Sequence, residues 1–172
     1  MPEPATVYRA RWIVPAEAPP IADGAVVASG GRIVRVGPWP ALKPHVAPTD
    51  AVEHFPDAVL LPGLGNAHTH LGLTDMAGRF KPTANFPAWI GRLTPRLMLR
   101  SAGAARRAVA EGRNRSLAAG TVAGADMAHD PSTTDPLNDS PGRWTVFGEC
   151  FRFGEAGLAA LEKTVAALET RA

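Results

Sequence analysis

One cysteine, Cys150, stands in a chain of 172 residues, so neither an internal disulfide nor a cysteine-built zinc knuckle can form. No run of 18 apolar residues occurs, which excludes a membrane-spanning helix. Met1 to Tyr8 has no basic stretch leading into an apolar one, as a secretory leader would, and the expected location is the cytoplasm. Charge of one sign is also scarce: 18 basic residues face 16 acidic ones, a net charge of +2. The local exception runs from Arg92 to Arg115, where seven arginines meet one acid, Glu111. No aromatic residue interleaves them as a base-stacking groove would require, so they read as a solvated helix face whose stems cover apolar surface, and no nucleic-acid partner is expected. What is present is a 45% hydrophobic share, enough for a core and against disorder over the whole chain.

Thr6 to Val14 is rich in β-formers. Ala25–Ser29 and Arg32–Val36 flank Gly30-Gly31, a hairpin signal because both loop positions favour positive φ. Residues 37 to 57 carry six prolines or glycines without a clear period and read as a connector. Ala58 to Leu61 is a short apolar run, expected to be a buried strand that leads through Pro62 to His68-Thr69-His70, so that one first strand spans Ala58 to Asn66. Phe86 to Leu99 has helical spacing around Pro95, as two short helices or one kinked one. Ser101 is the expected N-cap of a helix over 102–119 closed by Gly120. Thr121 to Asp126 predicts a strand, residues 127 to 143 a long loop, and Trp144 to Phe151 a third strand. Leu158, Leu161, Val165 and Leu168 mark one face of a last helix, about 155 to 170, expected to bury that face against the sheet. Strands alternating with helices imply parallel pairing and right-handed crossovers.

The sharpest chemical feature is His68-Thr69-His70. Residues i and i+2 of a strand share a face, so two imidazoles can grip one metal ion, and the pair closes a strand where α/β folds place their sites. Leu60-Leu-Pro-Gly-Leu-Gly-Asn-Ala-His-Thr-His-Leu71 closely resembles the first barrel strand of the metal-dependent amidohydrolase superfamily. Pro19 to Val27 and Gly31 to Gly37 are similar to that family's N-terminal β-sandwich segment. Ala119-Gly-Thr-Val122 resembles its second barrel strand, and Trp144 to Phe151 its third. The resemblance implies an α/β chain: an incomplete TIM-type (β/α) barrel preceded by part of a small β-sandwich. The segment and connector would occupy residues 1–57 and the first three β/α units residues 58–172. Asn66, where cyclic amidases tend to carry aspartate, resembles the branch that removes an amino group or halide from a heterocycle. It implies one divalent ion on His68 and His70, zinc or iron with zinc preferred, which lowers the pKa of a bound water, with a heterocyclic amine as the small-molecule substrate.

The family's later metal ligands and its acid-base glutamate lie on strands five to eight. A full barrel needs roughly 250 residues, and the positions for those groups are absent here. A metal with two histidines alone is not a complete catalytic site, so the 172-residue chain alone is expected to be inactive. The rival reading is a non-catalytic remnant, or one part of a split enzyme needing a complementing chain. Three strands of eight would also leave open sheet edges, with self-association as the expected result. Glu149 is the weak candidate for a catalytic contact at the barrel mouth. Asp126, His129 and Asp130 are expected at the start of the long loop, His129 as a solvated side chain. Asp75 and Arg79 fall in the first βα loop, where the family places substrate contacts. Cys150 should be a small buried residue under the helix layer. Trp89 and Trp144 read as packing residues, and His45 and His54 take no role.

Overall fold

A computed structural model describes residues 3–82, 85–150 and 154–170. The chain divides into two compact units, Met1–Pro62 and Gly63–Ala172, and among the described residues no helix is long and apolar enough to cross a membrane.

The first unit is one four-stranded sheet in the order β3-β2-β1-β4. Its strands are β1 (Thr6–Ile13), β2 (Ile21–Ser29), β3 (Arg32–Pro38) and β4 (Ala51–Leu60), with a short helix α1 (Trp39–Leu42) after β3. The β2–β3 hairpin turns at Gly30 and Gly31, both at positive φ, as their pairing predicts. Val7, Ala10 and Ile13 of β1 are buried with Ala25 of β2, which makes the interior strand β1 the centre of this core.

The connector expected over 37–57 is instead largely structured, because Ala51–Leu60 pairs in parallel with β1. Local sequence conceals this strand. It lies at a sheet edge, and Pro56 falls in a register irregularity between the pairs Ala10–Phe55 and Trp12–Val59, where its missing N–H costs no ladder bond. Parallel pairing with a strand some forty residues earlier is nonlocal and leaves no periodic mark. Ala58 to Leu60 therefore belongs to this first sheet, and Val59 and Leu61 are exposed rather than buried. The single strand expected over Ala58 to Asn66 is two strands.

The second unit holds a parallel three-stranded sheet in the order β5-β6-β7, made of β5 (Leu64–Thr69), β6 (Thr121–Ala128) and β7 (Arg143–Gly148). A 3-10 turn (Leu71–Met76), α2 (Phe86–Leu99) and α3 (Ala102–Ala118) connect β5 to β6. Asn85 caps α2 by accepting the Ala88 N–H, and Pro95 lies inside that single helix. Ser101 caps α3 by accepting the Ala104 N–H, and Gly120 follows it at positive φ. The inner face of α3 is Ala105, Ala108, Val109 and Gly112, all buried. Leu71, Val109 and Leu137 form the core, with Trp144 and Val146 packed against them. The long loop after β6 contains two further 3-10 turns, Pro131–Thr133 and Asp135–Leu137. Phe151, expected to end the third strand, lies outside the described residues.

The last helix, α4 (Gly154–Glu169), reverses one expectation. Leu158, Leu161 and Val165 are 59%, 48% and 44% exposed, while Gly157 is buried and Ala160, Thr164 and Leu168 are half-buried. A Cβ on Gly148 would collide with the Thr164 side chain and approach Leu168 Cδ1 at 3.3 Å. The helix thus comes close to β7 through Thr164 and Leu168, so of the four expected residues only Leu168 faces the sheet. Apolar periodicity marks a stripe that avoids water, but a close approach selects small side chains, and these two stripes differ on α4.

The arginines of 92–115 are largely committed to local ties. Arg106 pairs with Asp135 at 2.7 Å, Arg115 with Glu111 at 2.7 Å, and Arg100 with Asp75 at 2.9 Å. Arg113 donates to the Pro136 carbonyl, and Arg96 lies over the Phe80 ring.

Gly112 lets α3 rest on the turn after β5, since a Cβ there would clash with Thr74 Oγ1 and stand 3.1 Å from the Leu71 carbonyl oxygen. Gly112→Ala gains about 1 kcal/mol of helix propensity but meets an overpacking cost of about 1–3 kcal/mol. Because backbone is among the obstructing atoms, the cost wins. The urea midpoint of the variant is expected to fall, and an unchanged or raised midpoint would show that α3 can move away freely.

Candidate functional site

The C-terminal ends of β5, β6 and β7 bring together side chains from three separated stretches. His68 lies within β5 and His70 just beyond its last residue. Their Nε2 atoms are 3.3 Å apart, with ring centroids at 5.1 Å and planes inclined by 68°. Two nitrogens each about 2.0–2.1 Å from a tetrahedral zinc ion lie about 3.3 Å from one another. The pair thus has the separation that sharing one ion demands. Strand alternation is not the whole reason for it, because the β5–β6 register shifts between Asn66 and Thr69.

Glu149 follows β7, and its N–H donates to the Ala128 carbonyl at the end of β6. Its Oε2 stands 3.3 Å from His129 Nδ1 and 3.6 Å from His70 Nδ1. The carboxylate therefore sits between two imidazoles, on the side of His70 away from its Nε2 contact with His68. His129 is not the solvated loop residue expected: its side chain is 27% exposed and its ring centroid lies 6.3 Å from that of His70. The position directly after β6 puts it there, and β6 runs two residues further than its sequence predicts. Asp126 lies in this strand, as the reading of Thr121 to Asp126 expects, and is buried. Its Oδ1 accepts the Leu71 N–H at 2.7 Å.

The other candidates separate from this cluster. Asp130 accepts from the Ser132 N–H and hydroxyl and shapes its own turn. Asp75 is engaged by Arg100, which also donates to the Gly72 carbonyl. Arg79 is exposed. Cys150 is exposed rather than buried, although its Sγ reaches Thr164 of α4 at 3.5 Å. Trp144 is a packing residue whose indole N–H donates to Ser140 Oγ at 3.1 Å. Sequence reasoning did not single out Thr69 or Arg100, and no local signal marks either.

A cavity of about 30 Å³, lined by His70, Arg100, Asp126, His129 and Thr134 among others, adjoins the cluster and has room for one water. Among the described residues no group of three or more His, Cys, Asp and Glu side chains is arranged to hold an ion. The two histidine Nε2 atoms are the donors whose spacing fits one.

No family model matches the sequence, and no curated protein matches it. Solved structures do. An adenosine deaminase from Xanthomonas campestris with bound zinc is 25% identical; the match covers 99% of this chain and 40% of that one, with a TM-score of 0.80. Aminofutalosine deaminase from Helicobacter pylori matches at 21% identity and TM-score 0.73, over 96% of this chain and 40% of that one. Guanine deaminase from E. coli matches at 15% and 0.74, over 96% and 42%. The chain thus spans about two-fifths of the length of these structures.

Burial holds His129 below the ordinary histidine pKa, with His70 and Arg100 acting in the same direction and Glu149 opposing them. On acidification the unfolded chain, with a histidine pKa near 6.5, takes up this proton before the folded one does. The contribution to stability is therefore complete above that pH and declines as the pH falls below it. Urea midpoints between pH 7.5 and 5.5 are expected to fall more in the wild-type chain than in His129→Gln. Equal slopes would contradict the assignment.

Proposed function

We propose that this chain, which resembles the N-terminal part of amidohydrolase-superfamily enzymes, carries the first metal-binding segment of a hydrolase that cleaves C–N bonds. The structural relatives described above are all members of that superfamily, and the match falls on the N-terminal part of their chains. The mixed α/β architecture with two sheets corresponds to that part of their folds. In the finer reading, the first unit is half of a β-sandwich and the second is the opening three β/α units of a TIM-type barrel. The reaction is hydrolytic deamination of an amino-substituted heterocycle.

The observation that carries this reading is the 3.3 Å separation of the His68 and His70 Nε2 atoms at the C-terminal end of a parallel strand, where barrel enzymes assemble their sites. These two side chains would hold one divalent ion, zinc in preference to iron. Imidazole suits both metals, and the zinc bound in the similar adenosine deaminase structure supports the preference. Bound there, the ion supplies Lewis acidity for hydrolysis. His70 presents Nε2 toward that position while its Nδ1 faces the Glu149 carboxylate. At 3.6 Å the contact is longer than a hydrogen bond, so the carboxylate stands near the imidazole as a charge. Glu149 and His129 are the groups nearest to the pair that can hold or pass a proton.

Two imidazoles do not complete a catalytic metal site, so the 172-residue chain by itself binds metal loosely and does not turn over substrate. A second reading, a non-catalytic remnant or one part of a split enzyme that needs a complementing chain, rests on the same shortage of ligands. Self-association through the open edges of the second sheet is the corresponding proposal for partners.

Metal titration of the purified chain with cobalt or zinc is expected to show one ion per chain, with affinity lowered at least about tenfold in His68→Ala and in His70→Ala. Absence of binding would overturn the metal reading. A panel of aminoheterocycles is expected to release no ammonia with the metal-loaded chain. Ammonia release that disappears in His68→Ala would show that these 172 residues suffice for catalysis.

A further inference from the structure

The backbone that carries the two histidines is not held by the strand ladder alone. Between the pairs Asn66–Gly124 and Thr69–Asp126, β5 has Ala67 and His68 where β6 has only Ala125. Such a bulge re-aims a side chain and interrupts the ladder. The His68 N–H, inside the bulge, donates to Asn66 Oδ1 at 3.1 Å. Beyond the bulge, Thr69 Oγ1 donates to the Ala125 carbonyl at 3.0 Å and lies 3.3 Å from Asp126 Oδ1. That same oxygen accepts the Leu71 N–H at 2.7 Å, and Asp126 is only 1% exposed. His70 thus stands between two residues gathered at one buried oxygen atom.

We infer that Asp126, acting through Thr69 and the Leu71 N–H, forms with Asn66 a positioning device that sets the separation of the two imidazoles. This rests on the reading of His68 and His70 as a metal grip. Asp126, Thr69 and Asn66 would act without ligating the ion. They act on the backbone on either side of each histidine. A metal site tolerates ligand distances only within about 0.2 Å, whereas an interrupted ladder can relax by more than that. Asn66 takes up the N–H inside the bulge, and Thr69 closes its far end with a bond from side chain to neighbouring strand. Asp126 stops the chain from continuing straight into solvent after His70. Remove these ties and the imidazoles must be ordered at the moment of binding, which weakens affinity.

The test is cobalt titration of the full chain, followed by visible absorption, with urea unfolding measured in parallel. Thr69→Val preserves shape and removes the donor, Thr69→Ser keeps the hydroxyl, and Asn66→Ala removes the other tie at an exposed position. Cobalt affinity is expected to fall about 10- to 100-fold in Thr69→Val and in Asn66→Ala, with an altered spectrum at saturation. Thr69→Ser should restore both affinity and spectrum. If either donor-deleting variant unfolds more easily yet binds cobalt with wild-type affinity and spectrum, the ties are structural only and the inference is overturned. If the wild-type chain binds no cobalt, the metal reading itself fails and takes this inference with it. Loss confined to the variants is the result that supports positioning.

Discussion

A backbone N–H turned inward at the end of a parallel strand must find an acceptor, because leaving it unpaired costs about 1–3 kcal/mol. At Leu71 that acceptor is the Asp126 carboxyl group on the neighbouring strand. The bond sets where the chain leaves β5, and the surrounding structure depends on that exit. The 3-10 turn that follows lies under α3 because Gly112 offers no side chain to obstruct Thr74 and the Leu71 backbone. Arg100, between α2 and α3, holds the same turn from its other side through the Gly72 carbonyl and Asp75. Leu71 itself enters the core with Val109 and Leu137. A polar tie, a missing Cβ and an apolar contact thus immobilise one short segment, and the histidine pair is its immediate N-terminal neighbour.

Charge in the second unit is arranged around that segment. Glu149 lies between His70 and His129, close to both Nδ1 atoms, while Arg100 reaches the cavity that His70 and His129 line. The cavity with room for one water is lined by the two imidazoles and the Arg100 guanidinium, and Glu149 contacts both imidazoles. Burial there favours the neutral form of His129. The seven arginines spread over α2, α3 and the residue between them do not form one free cationic surface: Arg100, Arg106 and Arg113 fasten turns, and Arg115 pairs with Glu111 on its own helix.

Much of the secondary structure was legible because it is local. Gly30-Gly31 requires positive φ at both positions, Ser101 caps the helix it precedes, and Gly120 ends it. The parallel character of the second sheet followed from the alternation of strands and helices. The miss at Ala51–Leu60 is of a different kind. That strand is stabilised by pairing with β1, and a proline at its register irregularity disguises it. On α4 the leucine stripe is the more conspicuous pattern, yet Leu158, Leu161 and Val165 of it are exposed. Contact with β7 is made instead by Thr164 and Leu168 against Gly148.

The two histidines were visible as a pattern of residue types at one spacing, since any strand places such a pair near one another. The sequence by itself therefore determined which donors are available at the end of β5, and how few they are. It could not place Glu149 and His129 beside them, because those residues arrive from the ends of two other strands, and only parallel pairing of β5, β6 and β7 makes the three ends coincide. Nor could it disclose the bulge at Ala67 and His68. A bulge is a mismatch between two strands more than fifty residues apart, and it exists only once they pair. Residue chemistry is written along the chain, while separations and orientations come from contacts across it. The 3.3 Å between two Nε2 atoms was decided by the tertiary structure.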